Sequence, residues 1–184
     1  FRVTSVFDIS QTDGEPLPEL ETPELMGSVE NFKVFMKAVQ EVSPVPVRFD
    51  EISSGAKGYY SNTEKEIVIQ NGMSESQTMK TGIHEVTHAM LHDRDFMEEQ
   101  GEKKNQMTKE VEAESVAYTV CQYFGLDTSD YSFPYIAGWS SSMDMKELRT
   151  SMDTIRKTAG SFIDSMTEVI QRFMREQPEL SLSA

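Results

Sequence analysis

Residues 81–93, TGIHEVTHAMLHD, constrain this chain more than any other stretch, because they carry an HExxH pattern and all three histidines of the protein. Apolar Met79, Ile83, Val86 and Met90 recur at intervals of four, three and four, which predicts an amphipathic helix with one face in a core. On such a helix His84 and His88 stand one turn apart on the same face, so both imidazoles can reach a single ion at about 2.0–2.1 Å. Glu85 lies about 100° around from His84, where it can touch a water beside the ion without ligating it. This is the geometry of zinc hydrolysis. His92 is two turns, or about 12 Å, from His84 along the axis, too far for both to share one ion with His88. It is expected to support a ligand, face a substrate or serve the core.

A third ligand is sought in the helix expected over residues 107–124, which carries Glu110, Glu112 and Glu114. Glu112, Ser115, Thr119 and Gln122 form a polar stripe expected to face water. Glu110, Glu114, Ala117 and Cys121 form another face that turns apolar after its first two members. A carboxylate on an inward face is tolerated when it binds a metal or a hydrogen-bonded neighbour. Glu110 is therefore assigned as third ligand, and Glu114 as the group that accepts a hydrogen bond from a ligating histidine and fixes its tautomer. Helical spacing leaves the reverse order open.

Around these two helices the pattern predicts an α+β domain. Ser28 is the expected N-cap of a first helix with a stripe of Val29, Phe32, Phe35, Met36 and Val39. Residues 47–52, 56–61 and 66–70 read as strands, the last two joined by the turn at 61–65, so a small antiparallel meander is expected. An edge of that sheet beside the histidine helix could accept an extended peptide as an added strand. Tyr59 and Tyr60 alternate across it, and Tyr60 is a candidate substrate or oxyanion contact, as are His92 and Tyr135. The charged linker 93–106 is expected to be solvated, and Gly125 to end the second helix. Residues 143–174 keep an apolar stripe through Leu148, Met152, Ile155, Ala159, Phe162, Met166, Val169 and Phe173, as one long helix or two broken near Gly160. Residues 1–26, interrupted by Pro16, Pro18 and Pro23, read as an extended arm, 27–176 as the domain and 177–184 as a tail.

Composition narrows the partners. At 184 residues, 38% hydrophobic and 26% charged, the chain suits one soluble domain with a real core. No apolar run approaches the roughly 20 residues that span a bilayer. A net charge of −14 argues against this segment gripping a nucleic-acid backbone. The single cysteine, Cys121, excludes an internal disulfide and a multi-cysteine zinc site, which fits a cytoplasmic location. With no signal-like start and no initial methionine, the chain is expected to be part of a longer protein or a processed product.

HEVTHAMLH followed by an ExxxE helix resembles the ImmA/IrrE type of zincin-like metallopeptidase. VFDISQTDG and EVEAESVAYTVCQYFGLDTSDYSFPYIAGW are similar to the carboxy-terminal metallopeptidase half of ArdC/LtrC-like proteins of plasmids, integrative elements and phages. The resemblance spans most of residues 6–140. It implies that His84 and His88 bind zinc, that Glu85 is the catalytic base, and that Glu110 matches the acidic third ligand. Many thermolysin-like zincins carry aspartate where Glu114 stands. ArdC-type proteins also carry an amino-terminal module that binds single-stranded DNA, which would precede Phe1.

The expectation is thus a zinc-dependent peptidase acting on a peptide or protein substrate. The alternative is a non-catalytic metal-binding interaction module, accessory to a single-stranded-DNA-binding domain outside this segment. Structural zinc usually has four protein ligands, often cysteines; three ligands with no nearby cysteine favour catalysis.

Overall fold

In a computed structural model of the protein, the described residues are 29–101, 103–126, 128 and 145–176. The expected arm, the N-cap Ser28, Tyr135 with its aromatic neighbours, and the tail lie outside them. The architecture is α+β, with helices α1 (Val29–Val42), α2 (Glu75–Leu91), α3 (Arg94–Glu99), α4 (Gln106–Tyr123) and α5 (Met145–Glu176). Strands β1 (Val47–Asp50), β2 (Gly58–Ser61) and β3 (Glu66–Gln70) form one sheet.

The sheet is mixed, which corrects the antiparallel meander. Its order is β1-β3-β2, with β1 parallel and β2 antiparallel to β3. The reason lies in β3, whose Ile67, Val68 and Ile69 are all buried. A strand that is apolar on both faces belongs in the middle, where neighbours on each side satisfy its backbone and cover its side chains. The more polar β1 and β2 take the edges, so the chain passes over a strand position between them.

Helix α2 begins at Ser74, whose side chain accepts from the Gln77 N–H. Its Met79, Ile83, Val86 and Ala89 enter a core shared with Phe35 and Val39 of α1, Ile67 and Ile69 of β3, Val116 and Val120 of α4, and Phe162 and Met166 of α5. Helix α4 begins at Asn105, which accepts from Thr108 N–H. It ends in paired bonds, Leu126 N–H to Cys121 C=O at 2.8 Å and Gly125 N–H to Gln122 C=O at 3.0 Å. This closure needs a left-handed residue, and Gly125 supplies it with φ 79°. No helix among the described residues is long and apolar enough to cross a membrane.

Of the two forms expected for the last stretch, the one adopted is a single unbroken helix over residues 145–176, Gly160 included. Its stripe is displaced at the amino-terminal end, where Met152 is exposed and Ser151 buried. The linker is not simply solvated: it contains α3, capped by Asp93, with Met97 buried. The largest correction concerns Glu112, which does not face water but is 0% exposed, with Ser115 also buried. Helix α4 is packed by α2 on one side and α5 on the other, and residues 111–117 are all buried. A helix enclosed on two sides has no wide wet face, so polarity alone misplaces its residues.

Candidate metal centre

Helix α2 delivers two imidazoles and α4 one carboxylate to a common point. The Nε2 atoms of His84 and His88 face each other at 3.1 Å. Glu110 Oε2 is 3.4 Å from His84 Nε2 and 3.6 Å from His88 Nε2. In a tetrahedral site with bonds of about 2.0–2.1 Å, ligand atoms stand about 3.3–3.4 Å apart, so this donor triangle fits one small divalent ion. Among the described residues, His84, His88 and Glu110 form the group that could hold a metal ion. The donor set, two nitrogens and an oxygen, suits several such ions.

Each donor is held from behind. Gln106 Nε2 donates to Glu110 Oε1 at 2.5 Å, which leaves Oε2 turned to the rings. Glu114 Oε2 lies 3.2 Å from His84 Nδ1, although off the line of the N–H, so Nδ1 lacks a well-aligned bond. The other Glu114 oxygen is 2.8 Å from Lys80 Nζ. The geometry therefore places Glu110 on the side of the ligating nitrogens and Glu114 behind His84. Behind His88 stands His92, with Nδ1 3.0 Å from His88 Nδ1 and Nε2 3.0 Å from Glu112 Oε2. Lys104 Nζ reaches the same Glu112 oxygen at 2.9 Å, and Ser151 Oγ donates to the other at 2.7 Å.

The centre opens onto a cleft of about 340 Å³ lined by Gly58, Tyr59 and Tyr60 of edge strand β2, and by Glu85, Gln106 and Lys109 among others. Glu85 is only 9% exposed, and burial pushes its carboxyl above the usual range, opposed by the two histidines and by the Tyr60 backbone N–H. The Tyr60 hydroxyl is committed elsewhere, donating to Asp93 Oδ2 at 2.5 Å beside Lys65. Burial and that carboxylate push the phenol up to about 12. Its ring lines the cleft, where its backbone N–H meets Glu85.

Gly58 is required by this arrangement. A Cβ there would stand 2.6 Å from Thr81 Cγ2, 3.1 Å from the Val68 carbonyl oxygen and 3.2 Å from Glu85 Cγ. Gly58→Ala should therefore cost roughly 1–3 kcal/mol through overpacking, a melting temperature lower by roughly 2–12 °C. An unchanged melting curve would show that β2 does not press on α2 as described.

Burial depresses the His84 pKa, but the carboxylates of Glu110 and Glu114 outweigh it and raise the ring to about 9. The same contacts with His84 and His88 hold Glu110 far below the usual carboxylate range. Metal-free His84 is thus protonated at pH 7, and an ion must displace that proton. Zinc uptake at pH 7 should release about one proton, and affinity should rise about tenfold per pH unit toward pH 9. Calorimetry in buffers of different ionisation enthalpy measures both. Because the folded pKa is raised, His84 stabilises the metal-free fold fully below about pH 6.5 and loses that contribution as pH climbs through about 9.

Sequence reasoning missed Glu112, Lys104 and Ser151, as well as Gln106, Lys80 and Gly58. The available signal was the third histidine: a ring at His92, eight residues past His84 on the same helical face, needs a partner when buried.

No family profile matches the chain, and no solved structure matches it. The sequence is similar to an uncharacterized protein of Bacillus anthracis, pXO2-81, at 29% identity over 192 residues. That alignment covers 94% of this chain and 32% of the relative, so the chain spans about a third of the relative's length.

Proposed function

We propose that this chain is a zincin-like, zinc-dependent peptidase domain of the ImmA/IrrE type, from a protein resembling the ArdC/LtrC-like proteins of mobile elements. The observation that carries this reading is the donor triangle of His84, His88 and Glu110 opening onto a cleft in which Glu85 stands beside it. His84, His88 and Glu110 would hold the zinc, and among the described residues they are the group that can. When bound, zinc supplies a Lewis acid that polarises the scissile carbonyl and acidifies water. Glu85 takes a proton from the attacking water and passes it to the leaving amine nitrogen. Burial of its carboxyl, which makes it a stronger base than a free glutamate, suits it to that work.

Substrate binding falls to β2. It is an edge strand, and its Gly58, Tyr59 and Tyr60 line the cleft, so an extended peptide can lie along it as an added strand. Single-stranded DNA, if the whole protein binds it, is engaged by a part outside this acidic segment. We place the protein in the cytoplasm.

The test is a zinc-loaded sample incubated with a broad peptide mixture, with new termini read by mass spectrometry. Cleavage should vanish with a chelator and return with zinc. A sample that holds one zinc per chain and leaves the mixture and co-expressed cellular proteins uncut would instead support the interaction module.

A further inference from the structure

We propose that His92 and Glu112 are positioning residues that lock His88 into the tautomer whose Nε2 lone pair is free for a metal ion. The two imidazoles of the centre are oriented by different means. His84 has a carboxylate, Glu114, behind it, whereas His88 has a second imidazole, and the carboxylate comes one step later.

The direction of each hydrogen bond follows from the far end. Glu112 receives the Lys104 ammonium on one oxygen and the Ser151 hydroxyl on the other, so its carboxylate serves as acceptor. His92 Nε2, 3.0 Å from the Lys104-bound oxygen, must then carry the ring's hydrogen and donate it. A neutral imidazole has one N–H, so His92 Nδ1 is a bare acceptor. His88 Nδ1, 3.0 Å away, must donate to it. The single N–H of His88 is thereby fixed on Nδ1, and Nε2, the atom facing His84 and Glu110, is left unprotonated. The opposite polarity would require a protonated Glu112 donating to His92 while facing the Lys104 ammonium and the Ser151 hydroxyl.

Burial makes the assignment durable. Glu112 is 0% and His92 4% exposed, so bulk water does not offer either an alternative partner. The inference rests on the metal-site reading and is independent of peptide hydrolysis.

The test has two readouts. First, long-range proton–nitrogen spectra of the metal-free chain with labelled histidines should show His92 protonated on Nε2 and His88 on Nδ1. Second, Glu112→Gln, whose amide can donate as well as accept, should admit the other His92 tautomer and lower zinc affinity roughly 10–100-fold in competition with a chromogenic chelator. His92→Phe, which removes the acceptor for His88, should do the same. His92 protonated on Nδ1 in the wild-type protein would overturn the proposal, as would folded variants binding zinc within about twofold of wild type. The wild-type spectrum decides even where a variant fails to fold. A wild-type chain that binds no zinc would refute the metal reading while leaving the tautomers legible.

Discussion

Glu85→Gln should lower peptide hydrolysis by roughly 10²–10⁴-fold while zinc content stays at the wild-type level. The amide has the same shape, so it keeps its packing beside Gly58 and can still meet the Tyr60 N–H. What it lacks is a site for the proton that the attacking water must give up. Because Glu85 is buried and its pKa raised, the native carboxylate opposes folding at neutral pH, so the variant should melt at the same temperature or higher. The measurement is a paired one, cleavage rate and bound zinc on one preparation. Hydrolysis within tenfold of wild type would remove Glu85 from the reaction and take the peptidase reading with it.

Glu112→Ala should be the most damaging single change to stability, costing roughly 3–5 kcal/mol. That corresponds to a melting temperature lower by roughly 6–20 °C for a domain of this size. Removing the carboxylate leaves the Lys104 ammonium and the His92 N–H without their shared acceptor, and Ser151 without its own. Burial alone would raise the Glu112 pKa, but its bonds from His92, Ser151 and Lys104 outweigh this and lower it. A lowered carboxyl pKa contributes stability present above the ordinary carboxylate range and lost as pH falls below it. The wild-type protein should therefore lose stability on acidification more steeply than Glu112→Ala, and thermal melts across acid pH compare them. A loss below about 1 kcal/mol at neutral pH would contradict the burial of this network.

The parts of this protein legible in its sequence are those in which one helix or strand decides by itself. The helix that carries His84 and His88 and the one expected over 107–124 follow from periodicity, and β3 occupies the residues expected for it. The grouping of His84, His88 and Glu110 was legible because turn spacing and the inward face of Glu110 are local properties. What was not legible depends on who sits next to whom. Strand order turned on β3 being apolar on both faces, a property that matters only when three strands compete for the centre. Glu112 and Lys104 share a fate because α5 closes over the side of α4 that its own pattern offers to water. Small residues at Ala113, Ser115 and Ala117 let helices approach from two directions, and no hydrophobic count along a single helix registers that.

Ser151 stands 39 residues downstream of Glu112, on a helix with no donor atom in the centre itself. The brace on His88 is therefore complete only after α5 has docked. While the chain is being made, the histidines and Glu110 emerge first and lack that support. Tight ion capture should thus await the docking of α5, so that a truncated or nicked product missing α5 binds an ion loosely and gives it up to competing chelators.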